Sequence, residues 1–255
     1  MRRIGLEADE SGADLAAAIG ALPGIEVEGL FTHFSRADEM EKTSAMTQLG
    51  RYLHFTELLK ARGMEIPIKH CSNSAGIIDL PQANLNCVRA GITMYGMYPS
   101  EEVQKDKVPL KPALGLKSFV TYVKELGPGE EISYGGTYVT ERTMRIATVA
   151  VGYGDGYPRS LSNCGYVLIC GKRARILGRV CMDQIMVDVT DILEADVDTP
   201  VTLIGKDGDE EITMEHLAEL CGGFHYEMVC DIGKRVPRVY YRGGKVVGTM
   251  DCFAE

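Results

Sequence analysis

The feature that most limits what this chain can fold into is a change of period near Pro99. Before it, short apolar runs alternate with helical stretches, the signature of βα units whose strands run parallel. Residues 10–22 read as a helix, 25–34 as a strand, and 39–62, with apolar side chains at three-and-four spacing, as an amphipathic helix. Residues 68–71 and 85–89 read as two more buried strands. A charged connector with prolines, SEEVQKDKVPLKPALG, then interrupts the pattern. Beyond it lie short β-branched runs at 116–126, 144–151, 166–170, 174–180, 185–189 and 201–204, separated by Gly, Asp and Asn turns. Their spacing predicts a mostly antiparallel barrel or sandwich, completed by helices over 213–221 and 226–232. The expected division is an α/β domain over 1–110 followed by a β-rich domain over 111–255.

The strand count in the first domain creates a problem. About three strands are available, whereas a βα barrel closes with eight. Three strands leave two bare edges and an uncovered apolar face, so the expectation is an incomplete barrel.

Composition narrows the partners. With 255 residues and 45% apolar side chains, the chain has material for real cores. A formal charge of −9, with both signs interspersed, offers no basic stripe for a phosphate backbone, which argues against nucleic acid. No apolar stretch approaches the roughly 20 residues that span a bilayer, and no signal-peptide core follows the first arginines. The expectation is a cytoplasmic protein without membrane partners. Eight cysteines form no C-x-x-C pair and show no metal-ligand spacing, so they are expected to be buried reduced thiols, with no metal site.

Eight motifs in order carry a resemblance over essentially the whole chain. They are MRRIG (1–5), GLFTHFSRADE (29–39), HCSNSAGI (70–77), VRAGITMYG (88–96), SYGGTYVT (133–140), VAVGYGDGYPR (149–159), RVCMDQIMVDV (179–189) and YEMVCDIGKRVPRVY (226–240). Together they resemble alanine racemases. The resemblance implies the C-terminal part of a (β/α)8 barrel that binds pyridoxal 5'-phosphate, followed by a β-rich domain. It also implies a homodimer with shared active sites, and two-base interconversion of L- and D-alanine on a cofactor aldimine for peptidoglycan supply.

Site roles follow residue by residue. Racemisation needs acid/base groups on opposite faces of a planar carbanion. The resemblance gives one face to Tyr134, although spacing alone would make it an ordinary core aromatic of a β-hairpin. A tyrosine acting as base requires surroundings that stabilise phenolate. His33, near the end of an expected barrel strand, is implied to hydrogen-bond the catalytic tyrosine of the neighbouring subunit; the plainer reading is a structural histidine. Arg89, also expected at a strand end, is implied to face the cofactor's pyridine nitrogen. Because arginine only donates, that nitrogen stays unprotonated, which favours racemisation over transamination.

Ser74, Gly91, Ile92 and Tyr226 match the positions that hold the cofactor phosphate. Arg3 matches the arginine that contacts the cofactor phenolate and the substrate carboxylate. Met182 and Asp183 match residues presented toward substrate, and Tyr153, Arg159, Arg179 and Asp38 match the lining of a substrate channel. Gly91 has a plain alternative as a turn, Arg3 as a flexible basic terminus, and the four channel residues as ordinary surface charges.

The family's cofactor lysine sits in a V-K-A-D-A-Y-G-H-G-like motif, and none of the twelve lysines here has that context. Met1 stands where the family has an internal methionine, as a truncated or internally started copy would. The chain alone is expected not to racemise alanine. The alternatives are one half of a split enzyme, a non-catalytic remnant that binds a racemase subunit, or a racemase for another small amino acid such as serine. The large Tyr226 favours the smallest substrate.

Overall fold

The computed structural model describes residues 1–253, which form two compact units divided between Ala113 and Leu114. In the first unit, helix α1 (Glu10–Gly20) starts where the Asp9 carboxylate accepts the Gly12 amide at 2.9 Å. Gly12 is obligatory there, since a Cβ would fall 1.9 Å from the Glu7 carbonyl oxygen. Strand β1 (Gly29–Phe31), helix α2 (Thr43–Ala61) and strand β2 (Ile68–His70) make one βαβ unit with parallel register Gly29↔Ile68 to Phe31↔His70. Helix α2 buries Ala45, Leu49, Tyr52, Phe55 and Leu59, the spacing that its sequence announced. Each large apolar side chain so buried contributes about 1.5–3 kcal/mol. Helix α3 (Ser74–Asp79) follows, capped by Asn73 accepting the Gly76 amide.

Two strand expectations fail in this unit. Only three residues of 25–34 are strand, and 85–89 is no strand at all. Leu85 takes φ +50°, which turns the chain. The Asn86 side chain then replaces ladder bonds, accepting the Lys69 amide at 2.8 Å and donating to the Pro67 carbonyl at 2.7 Å. Arg89 adds one backbone bond to the Ser72 carbonyl. The segment therefore lies beside β2 without pairing as a strand, and Arg89 sits in a loop rather than at a strand end. Asp79, almost fully buried, pairs with Lys42 at 2.7 Å and accepts the Gln104 amide, which fixes the loop before α2 to α3.

The second unit carries strands β3 (Leu116–Leu126), β4 (Glu131–Ile132), β5 (Tyr138–Val139), β6 (Met144–Val149), β7 (Tyr166–Ile169), β8 (Lys172–Arg175), β9 (Ile185–Asp188), β10 (Pro200–Asp207) and β11 (Glu210–Ile212). Its main sheet runs β8-β7-β10-β3-β6-β9, all antiparallel, with β11 paired to β10. A bridge between Ile176 and Val187 joins the two ends of that path, so the sheet closes on itself. The expected strand 174–180 stops early because Gly178, at φ +75°, turns the chain. Helices α4 (Met214–Cys221) and α5 (His225–Asp231) and a hairpin of β12 (Arg238–Arg242) and β13 (Lys245–Met250) follow.

The cysteine expectation also needs correction. All eight are free, but only Cys71 is buried; Cys164, Cys170, Cys230 and Cys252 are exposed. They occupy turns and element ends rather than strand interiors, as Cys170 does at φ +52° in the β7–β8 turn. Among the described residues no helix is long and apolar enough to cross a membrane, and no cluster of metal-binding side chains occurs.

Candidate active site

The expected site residues fall into two groups, one in each unit. In the first unit the centre is Arg89. Its Nη2 donates to the carbonyls of Thr32 (2.9 Å) and Cys71 (3.2 Å) and to His33 Nδ1 (3.3 Å). Nη1 donates to the His70 carbonyl (3.3 Å) and makes a short contact with His70 Nδ1. The guanidinium also lies over the Phe31 ring, 5.4 Å from its centroid, and Phe31 stacks on His70 at 5.4 Å.

Arginine has no acceptor, so both Nδ1 atoms must present lone pairs and both protons sit on Nε2. Burial, followed by Arg89, keeps both imidazoles below the ordinary histidine value; for His33, Arg3 and the terminal amine add to the effect. Burial also pushes the neighbouring Cys71 thiol up to about 11, which leaves it inert. With both terminal nitrogens engaged, Nε is the one guanidinium donor that makes no hydrogen bond among the described residues.

Beside Arg89 lies a set of short polar donors. The Ser74 hydroxyl accepts the amides of Gly91 (3.0 Å) and Thr93 (3.4 Å) and lies 3.1 Å from Thr93 Oγ1. Two amides and two hydroxyls converge at the starts of α3 and of the turn Ile92–Tyr95. Hydroxyls and backbone amides are the groups that hold a phosphate, and here both amides are directed at the Ser74 oxygen. The hydroxyl of Ser72, fully buried in the same loop, has no partner among the described residues. Arg3, Thr32 and His33 line a separate open cavity of about 930 Å³ between the N-terminal segment, β1 and α2. Asp38 serves the fold through its carbonyl, which accepts the Ser100 hydroxyl at 2.5 Å.

The second group hangs on the loop between β8 and β9. Tyr134 stands in a turn between β4 and β5 with its side chain 70% exposed, so the core-aromatic alternative does not hold. The preceding Ser133 donates to the Arg179 carbonyl at 2.6 Å. Two residues on from Arg179, the Cys181 carbonyl accepts the Tyr153 amide at 3.0 Å, and the Met182 carbonyl accepts the Gly154 amide at 2.9 Å. The neighbouring Gly152 tolerates no side chain, since a Cβ there would lie 2.2 Å from the Cys181 oxygen. Arg235 ties this knot, its Nε on Asp155 (2.7 Å) and its Nη2 on Asp183 (2.5 Å) and the Met182 carbonyl (3.5 Å). The two carboxylates hold its guanidinium well above the ordinary arginine value.

Tyr134, Tyr153, Arg179, Met182 and Asp183 thus belong to one connected surface. Arg159 is exposed in the next turn, and Tyr226 stacks on Phe224 in α5 at 4.7 Å. The sequence did not single out His70, Thr93, Asp155 and Arg235, which the structure joins to Arg89, Ser74 and Asp183. The signals were within the quoted motifs: His70 opens HCSNSAGI, and Arg235 lies in GKRVPR, the latter a cation two residues from a proline turn.

Residues 1–99 match the family model described as alanine racemase, N-terminal domain, and residues 113–240 match alanine racemase, C-terminal domain. The chain belongs to the alanine racemase family. It is 47% identical to the alanine racemase of Clostridium perfringens (strain SM101) over 97% of its own length and 64% of that protein's. The alanine racemase of Methanococcus maripaludis is 46% identical over 94% of this chain, again 64% of the relative. Among solved structures, the alanine racemase of Clostridium difficile 630 superposes with a TM-score of 0.94 at 40% identity, covering all of this chain and 65% of that one. The alanine racemase of Bacillus anthracis with bound L-Ala-P gives 0.92 at 39% identity, covering 98% and 64%. The chain therefore spans just under two thirds of the length of these relatives.

Proposed function

We propose that this chain supplies the tyrosine side of an alanine racemase site that works with pyridoxal phosphate. The observation that carries the reading is Arg89, immobilised by five acceptors on Thr32, His33, His70 and Cys71, with the amide and hydroxyl cluster of Ser74, Gly91 and Thr93 in the same unit. When bound, the cofactor supplies an electron sink that makes the substrate's α-proton removable. Ser74, Gly91 and Ile92 would hold its phosphate, with Thr93 added from the geometry and Tyr226 from the family reading alone. Arg89, whose Nε makes no hydrogen bond among the described residues, would donate to the cofactor; having only donors, it would oblige a facing ring nitrogen to accept and to stay unprotonated.

Tyr134 holds and releases the proton on one face at its phenol oxygen. In the shared-site homodimer of the family reading it does so beside His33 of a second copy, whose Nε2–H is directed away from Arg89. Arg3, Met182 and Asp183 bind and orient the substrate carboxylate, and Tyr153, Arg159, Arg179 and Asp38 line its approach. The proton on the opposite face belongs to the cofactor lysine, which the family reading puts in the N-terminal part.

The test is complementation. The chain is co-expressed with the part of the Clostridium perfringens racemase that lies outside the match, and D-alanine formation from L-alanine is followed by a D-amino-acid oxidase assay. The expected result is racemisation by the pair, falling at least ~100-fold with Tyr134→Phe, the usual worth of a positioned acid/base group. A pair that assembles without forming D-alanine, or one indifferent to Tyr134→Phe, overturns the reading.

A further inference from the structure

The backbone just before Tyr134 is strained. Ser133 sits at φ +67° and ψ −176°, a region that side-chain-bearing residues almost never enter. Such a conformation persists only where surrounding contacts impose it, and the contacts here are identifiable. The Ser133 hydroxyl donates to the Arg179 carbonyl at 2.6 Å and lies 3.4 Å from Cys181 Sγ. Gly178 makes the approach possible, since a Cβ on it would come within 2.5 Å of the Ile132 oxygen and 2.7 Å of Ser133 Cβ. The Arg179 guanidinium packs against the backbone of Gly135, its Nη1 3.3 Å from where a Cβ would stand.

The far end of the same turn is pinned independently. Asn163, itself at φ +61°, donates through Nδ2 to Thr137 Oγ1 at 3.1 Å. Its Oδ1 accepts the Gly178 amide at 2.7 Å, and its own amide donates to the Gly178 carbonyl at 3.2 Å. The turn 133–137 is therefore held at both ends against Gly178 and Arg179. A side chain 70% exposed has little packing of its own to fix it.

We infer that Ser133 is a positioning residue for Tyr134, with Asn163 as the second anchor: strain at Ser133 is retained because the Arg179 bond it permits sets where the Tyr134 ring projects. The functional weight of this rests on the racemase reading; the geometry does not.

Glycine substitution separates positioning from plain stabilisation, because it removes the side-chain bond and relieves the strained φ together. The chain contains no tryptophan, so Tyr134→Trp installs a unique fluorophore at the exposed site. In that background Ser133→Gly is expected to lower the steady-state anisotropy of the indole. The melting temperature stays unchanged or rises by about 2–4 °C as strain is released. Asn163→Gly should shift anisotropy the same way by a smaller amount. Amide hydrogen exchange over 133–137 in the chain with Tyr134 intact should quicken in the same order. Unchanged anisotropy and exchange in Ser133→Gly, or a loss of order that only follows a lowered melting temperature, overturns the inference. Neither readout depends on turnover, so failure of the racemase reading and failure of this one are told apart.

Discussion

The two units solve the problem of burying a sheet in opposite ways. In the β-rich unit the main sheet closes on itself, and Val167, Ile169, Val187, Val201 and Leu203, which share one face of it, are fully buried. In the βα unit the apolar clusters, such as Phe34, Leu49, Tyr52, Ile78 and Leu80, lie around the helices. Neither strand has a buried residue, and Phe31 is 52% exposed. A closed sheet covers its own inner face; two parallel strands cannot. The candidate site follows the same division. Unit two presents its residues on a knot of backbone bonds, whereas unit one presents them where its strands are bare.

That contrast is broken most forcefully by separating the units. Residues from Leu114 onward, expressed alone, are expected to unfold in one cooperative transition followed by circular dichroism, and residues 1–113 alone are expected to show none. A cooperative melt of 1–113 would mean that its helical core suffices without cover for β1 and β2. Within the whole chain, the sharper version compares one side chain from each sheet. Leu203→Ala empties a fully buried site and should cost about 3 kcal/mol in urea unfolding, while Phe31→Ala should cost about 0.5 kcal/mol or less. Equal costs would show that the strand faces are more alike than their exposures indicate.

How much of this was legible in the sequence differs between the units for the same reason. In the β-rich unit, period and burial agree, so runs such as 116–126 and 185–189 were found within a residue or so of the strands β3 and β9. In the βα unit, apolar residues no longer report strand pairing. LNCVR has the composition of a buried strand, yet Leu85 turns and Asn86 bonds through its side chain. The candidate residues were legible only as motif positions. What holds them was not: the strain at Ser133, the bridge from Arg235 to Asp155 and Asp183, and the sharing of Arg89 between His33 and His70 join residues 19 to 80 positions apart or depend on a dihedral angle. Periodicity reads neighbours along one element, and none of these is such a neighbour.

The smallest expected effect is a pH dependence specific to the Arg89 cluster. His33 and His70 are both held below the ordinary histidine value by burial and then by Arg89. A lowered folded value means that the unfolded chain takes up these protons first as the pH falls. The stability they contribute is therefore complete above about pH 6.5, the unfolded value, and is lost as the pH drops through their lowered folded values. Protonation also removes the Nδ1 lone pairs that accept from Arg89 and sets three cations side by side. Denaturation midpoints measured between about pH 7 and pH 4.5 should show an acid limb that His33→Asn and His70→Asn each flatten. If the double variant keeps the full limb, the acid sensitivity arises elsewhere and the shared-acceptor picture of Arg89 is wrong.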